Sequence, residues 1–70
     1  MIINKIREFR ELRAMTQIDL AALVNVSRQT IISLEKGSYN PSLELAFKIA
    51  QALNVSIEEI FRMEDSYEVL

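Results

Sequence analysis

Apolar side chains recur every three or four positions along most of this chain, which is the period of helices packed on one face. Ile2/Ile3, Ile6 and Phe9, with Arg10 and Arg13, predict an amphipathic helix over about residues 4–13. Thr16 is an N-cap residue and Asp19 follows three positions later, the pattern of a capping box. A second helix over about 17–24 then buries Leu20, Ala21 and Val24. Asn25 tolerates left-handed backbone and marks a sharp stop. Ser27 caps a third helix over about 28–36, and Gly37 is its natural terminator. Ser38-Tyr39-Asn40-Pro41 reads as a loop. Ser42 caps a fourth helix over about 43–53, with Leu43, Leu45, Ala46, Ile49, Ala50 and Leu53 as its apolar stripe. Ser56-Ile57-Glu58-Glu59 is a second capping box, opening a short helix that reaches about Phe61. Met63 to Leu70 shows no clear period. The pattern predicts an all-α fold, a compact five-helix domain over residues 1–61 followed by a tail over 62–70.

The gap between the second and third helices carries the most information. Only Asn25-Val26-Ser27 separates them. A connection that short forces a steep angle between two helices, the helix-turn-helix geometry, in which the second helix of the pair enters a DNA major groove. Ala21 suits the point of closest approach, where a larger side chain would hold the helices apart.

Composition bears on this picture by exclusion. Seventy residues make one domain, and half are apolar, enough for one core. With no Cys and no His, the chain has no disulfide framework, no thiolate metal site and no imidazole general base. It has no Gly-rich phosphate loop either, so the expectation is a protein that is not an enzyme and needs no cofactor, metal or small-molecule ligand. No apolar run approaches the roughly 20 residues of a membrane span. The start, Met1-Ile-Ile-Asn-Lys-Ile-Arg, has charges too early for a signal peptide, so the expected compartment is the cytoplasm, without a membrane partner. The net charge of −2 gives no support for nucleic-acid binding on its own. Its distribution is uneven, however. Residues 1–50 carry seven Lys/Arg against five Asp/Glu, and residues 51–70 carry one against five. A basic face in the first two thirds is therefore compatible with the acidic total.

Thr16-Gln17-x-x-Leu20-Ala21, Val26-Ser27-Arg28-Gln29-Thr30-Ile31-x-x-Leu34-Glu35-Lys36-Gly37, Asn40-Pro41-Ser42-Leu43-x-x-Ala46 and Val55-Ser56-Ile57-Glu58-Glu59-Ile60-Phe61 form a string of motifs that resembles the phage-repressor and Cro-like helix-turn-helix family, the Xre family. The likeness covers about residues 4–61. It implies a five-helix fold with the third helix as reader, and a homodimer on a partly palindromic double-stranded DNA operator. It implies DNA base contacts from Arg28, Gln29 and Ser33. Arg pairs bidentately with guanine and Gln with adenine in the major groove. Phosphate contacts are expected from Gln17, Ser27, Thr30, Lys36, Tyr39 and Asn40, and a structural ion pair from Arg10 and Glu35. Two places depart from the family pattern. Ala14-Met15 and Asn25 stand where the family often has Gly.

A chain this short has no separate dimerisation domain, so the dimer contact is expected from Phe61, Met63, Tyr67, Val69 and Leu70. The functional expectation is a sequence-specific transcriptional repressor. The alternative is an antitoxin-type protein-binding module that also binds DNA. It would use the acidic tail or the apolar surface of Ile18, Ala22 and Leu23, positions where the resembled family is usually polar.

Overall fold

The computed structural model describes residues 2–64. The elements run β1 (Ile2–Asn4), α1 (Ile6–Leu12), α2 (Gln17–Val24), α3 (Arg28–Lys36), α4 (Leu43–Leu53), α5 (Ile57–Ile60) and β2 (Phe61–Met63). The helix starts follow their caps. Thr16, Ser27, Ser42 and Ser56 each accept a hydrogen bond from the backbone N–H three residues on, and Thr16/Asp19 and Ser56/Glu59 are reciprocal capping boxes. The helix ends share a device as well. At the close of α1, α2, α3 and α4 one residue turns left-handed: Ala14, Asn25, Gly37 and Asn54, with φ of 57°, 60°, 78° and 60°. The next N–H then reaches back five residues: Met15 to Arg10, Val26 to Ala21, Ser38 to Ser33 and Val55 to Ala50, all at 3.0 Å. This is the Schellman arrangement, which satisfies carbonyls the helix leaves open. Only at Ala14 does the left-handed residue carry a Cβ without the compensating polar side chain of Asn, so the α1–α2 turn stores strain.

The core is formed by Ile6, Leu20, Ala21, Val24, Ile31, Leu34, Ile49, Ala50, Leu53 and Ile60. It draws on every helix. Ala21 is 4 % exposed, and α2 lies against both α3 and α4. The small side chain permits that approach.

The expectation of an all-helical chain is corrected. Ile2–Asn4 and Phe61–Met63 form a two-stranded antiparallel sheet with the register Ile2↔Met63, Ile3↔Arg62 and Asn4↔Phe61. The Lys5 N–H donates to the Ile60 carbonyl at 2.8 Å, extending the ladder by one pair. The helix predicted over residues 4–13 thus starts at Ile6, and α5 stops at Ile60 rather than at Phe61, whose backbone is extended. Leu43 is a second correction. Placed on the inner stripe of α4 by spacing, it is 71 % exposed, because it is the first residue after the Ser42 cap and precedes the part of α4 that meets the core. Phe47, one turn on, is 53 % exposed. Ile18 and Leu23 also stand in solvent on α2. Among the described residues, no helix is long and apolar enough to cross a membrane.

Candidate nucleic-acid interface

The interface is built outward from the α2–α3 pair. Thr16 fixes the start of α2 from both sides of its box: its hydroxyl accepts from the Asp19 N–H at 3.0 Å, and its own N–H donates to the Asp19 carboxylate at 2.9 Å. Hydrogen bonding of the Asp19 carboxylate to Thr16, to its backbone N–H first and its hydroxyl second, holds that carboxyl below its ordinary value. Asn25, at φ 60° and ψ 48°, ends α2 and turns the chain. Ser27 then caps α3, accepting from the Thr30 N–H at 3.1 Å, and the two hydroxyls lie 3.0 Å apart.

This frame exposes Arg28 and Gln29 on the first turn of α3, and neither has a hydrogen-bond or ion-pair partner among the described residues. Ser33 is half-buried on the following turn. Ile31 and Leu34, fully buried, anchor the opposite face of α3. Lys36 is exposed in its last turn, where a cation is favoured by the helix dipole. Tyr39 and Asn40 are exposed in the loop after Gly37. Ser27 is exposed and Thr30 half-buried, each with its hydroxyl engaged by the other.

Behind this surface lies a buried polar cluster. Arg10 and Glu35 meet as a bidentate pair, Nε to Oε2 at 2.6 Å and Nη2 to Oε1 at 3.2 Å, with side chains 10 % and 7 % exposed. Arg10 Nη1 also donates to the Met15 carbonyl at 2.8 Å. Glu35 raises the Arg10 pKa above its ordinary value through the hydrogen bond, against the opposing effect of burial, so the guanidinium stays charged. Gln17 joins this cluster. Its Nε2 donates to Glu35 Oε1 at 3.2 Å and the residue is half-buried, so one amide hydrogen of this expected phosphate partner is directed back into the protein. The pair links α1 to α3, and Gln17 adds the start of α2. All three elements of the interface are held by one carboxylate.

Two positioning residues were missed by sequence reasoning. Asn4 accepts from the Ile6 N–H at 3.1 Å and donates through Nδ2 to the Leu34 carbonyl at 2.9 Å, tying β1 and the start of α1 to α3. An Asn two residues before the first core position is the Asx-turn signal that could have found it. Arg13 Nε donates to the Leu53 carbonyl at 2.9 Å, closing the end of α4 against α1. Of the residues expected at a dimer contact, Phe61 is half-buried against the core and Met63 is 62 % exposed, while Tyr67, Val69 and Leu70 lie outside the described residues.

A core-anchored helix that presents Arg and Gln across a three-residue turn from a capped partner helix defines a DNA-binding helix-turn-helix protein. Residues 6–60 match the helix-turn-helix family, and the chain belongs to it, in the Xre/Cro-C1 type of regulator. Among its relatives is an HTH-type transcriptional regulator of Methanocaldococcus jannaschii, itself uncharacterised, which is 58 % identical over 62 residues covering 89 % of this chain and 94 % of the relative. The immunity repressor protein of Bacillus phage phi105 is 36 % identical over 57 residues, covering 81 % of this chain and 40 % of the repressor. Among solved structures, the restriction-modification controller protein C.AhdI of Aeromonas hydrophila superimposes with a TM-score of 0.73 at 33 % identity, over 77 % of this chain and 82 % of that one. The family is one of DNA-binding transcriptional regulators and includes phage repressors.

Proposed function

We propose that this protein is a repressor that binds a partly palindromic operator as a homodimer, with α3 in the major groove. The observation that carries the reading is the pair Arg28 and Gln29, exposed and unpartnered at the start of a helix whose other face is locked into the core. Arg28 is assigned to guanine and Gln29 to adenine, with Ser33 on the same face and Lys36, Tyr39 and Asn40 reaching phosphates beyond it. One such helix covers too little DNA for selective binding. Two related by a dyad reach successive major grooves about 34–36 Å apart.

The dimer contact is assigned to the apolar ground between α4, α5 and the sheet. Leu43 and Ile57 border two adjoining hollows, of about 750 and 300 Å³, which between them reach Phe47 on one side and Ile2 and Phe61 on the other. Leu43 and Phe47 leave more than half of their surface to solvent here, as does Met63, the strand partner of Ile2. An exposed apolar patch of this kind offers ground for the isologous, self-complementary contact a dyad requires. Phe61 and Met63 belong to it, and Leu43 and Phe47 extend it beyond the tail.

Selection of bound sequences from a random duplex pool tests the function. The expected result is an enriched motif with approximate dyad symmetry. Failure to enrich any motif would remove the reading. Sedimentation of a Leu43→Lys, Phe47→Lys variant tests the assembly: the variant is expected to be monomeric where the parent is dimeric.

A further inference from the structure

A cleft of about 410 Å³ opens between α1, the start of α2 and the second half of α3, lined by Arg7, Arg10, Gln17, Ile32, Glu35 and Lys36. The charges on its walls are not equally available. Arg10 and Glu35 form its floor and neutralise each other, and each Glu35 oxygen already accepts from Arg10, with Oε1 also taking Gln17. Lys36 has no ion-pair partner among the described residues. Arg7 has one contact, Nε to Glu11 Oε2 at 3.2 Å, between side chains 69 % and 56 % exposed. An exposed pair four residues apart on a helix is weak and easily exchanged. The mouth of the cleft therefore carries two long, movable cations, one from α1 and one from the end of α3, over a floor whose own charge is cancelled. Gln17 keeps a second amide hydrogen beside them.

We propose that Arg7 and Lys36 close on a single backbone phosphate of the bound DNA, so that α1 as well as α3 holds the duplex. This rests on the DNA-binding reading above. The two cations approach from opposite walls, and the half-buried Ile32 beside them reduces local water. A phosphate held there would fix the depth and tilt at which α3 enters the groove, which phosphate contacts do without reading sequence.

The test uses the intact protein on its selected duplex. Arg7→Ala is expected to weaken binding about 35-fold at about 50 mM salt and about threefold at about 200 mM, because losing one ionic contact in each subunit of the dimer flattens the log–log salt slope by about 1.8. The loss should be the same on every duplex. Arg7→Lys should keep the slope, since a point charge suffices. Glu11→Gln should bind as well as the parent or better, which separates a phosphate contact from mere support of α1. Duplexes carrying one neutral methylphosphonate at successive positions should reveal one linkage in each half-site that weakens the parent strongly, Arg7→Ala and Lys36→Ala less, and the double variant Arg7→Ala, Lys36→Ala not at all. If the parent binds with a steep salt slope and Arg7→Ala has the same affinity and slope, the clamp is wrong and the DNA reading stands. An Arg7→Ala loss confined to one base pair also overturns it. If the parent binds no duplex, the DNA reading itself fails, and the clamp with it.

Discussion

Removing Glu35 perturbs the point where α1, α2 and α3 are joined. In Glu35→Ala the Arg10 guanidinium, 10 % exposed, loses two of its three hydrogen bonds and keeps only the Met15 carbonyl. Gln17 loses its acceptor as well. Hydrogen bonds to charged groups contribute about 1.5–3 kcal/mol each, and leaving one member of a buried pair uncompensated costs about 3–5 kcal/mol. Water entering the adjoining cleft would rehydrate part of the guanidinium, so the lower end, about 3 kcal/mol, is expected. A domain of this length has roughly 4–10 kcal/mol in total at about 0.05–0.15 kcal/mol per residue, so the variant should be close to unfolding at physiological temperature. Arg10→Met should be similarly damaging, because it strands the Glu35 carboxylate. The double variant Arg10→Met, Glu35→Ala removes both charges and should cost far less than the two singles together, with a coupling of about 2 kcal/mol or more. Urea unfolding followed by circular dichroism measures all three. Single variants each costing under about 1 kcal/mol, with the double simply additive, would show that the pair behaves like a surface salt bridge and would refute the argument from burial.

Two further perturbations follow from local geometry. Ala14→Gly should stabilise the protein by about 0.5–1 kcal/mol, the relief of left-handed strain less the entropy of a glycine, and raise Tm by a few degrees in a thermal scan. The Asp19 carboxyl is held below its ordinary value of 3.8, so its contribution to stability is present above that pH and is lost as pH falls through the folded value. Asp19→Asn should accordingly be less stable than the parent at pH 7, with the difference shrinking below about pH 3.8 when both are melted across that range.

The helix starts were legible because each cap is a local signal. Thr16, Ser27, Ser42 and Ser56 stand immediately before α2, α3, α4 and α5, and the side chains that satisfy the first N–H groups lie within three residues of them. The strands were not legible, for the opposite reason. Each has three residues, too few to display alternation, and their pairing partners lie some 60 positions away, so Ile2 and Ile3 read as the first turn of α1. Leu43 shows a related limit: spacing assigns a face, but contact requires a neighbour opposite that face, and the first position of α4 has none from the core, while Leu45 and Ala46 just after it do. At the interface, Arg28 and Gln29 could be named from their place at the start of α3. The attachment of Gln17 to Glu35 depends on how α2 is set against α3, and no local pattern encodes it. Asn4 and Arg13 act on carbonyls 30 and 40 residues distant, which likewise emerge only from the packed chain.

The central claim is that the start of α3 reads bases while its last turn and the loop beyond hold phosphates, and one set of titrations tests it. The parent, Arg28→Ala, Gln29→Ala and Lys36→Ala would each be measured on the selected duplex and on its single-base variants at fixed salt. The account predicts that Arg28→Ala and Gln29→Ala each lose about 1–3 kcal/mol on the best duplex and become indifferent to the identity of one base pair, while Lys36→Ala weakens every duplex by the same factor and retains the full preference. A uniform loss across all duplexes for Arg28→Ala and Gln29→Ala, with every base preference intact, would contradict it.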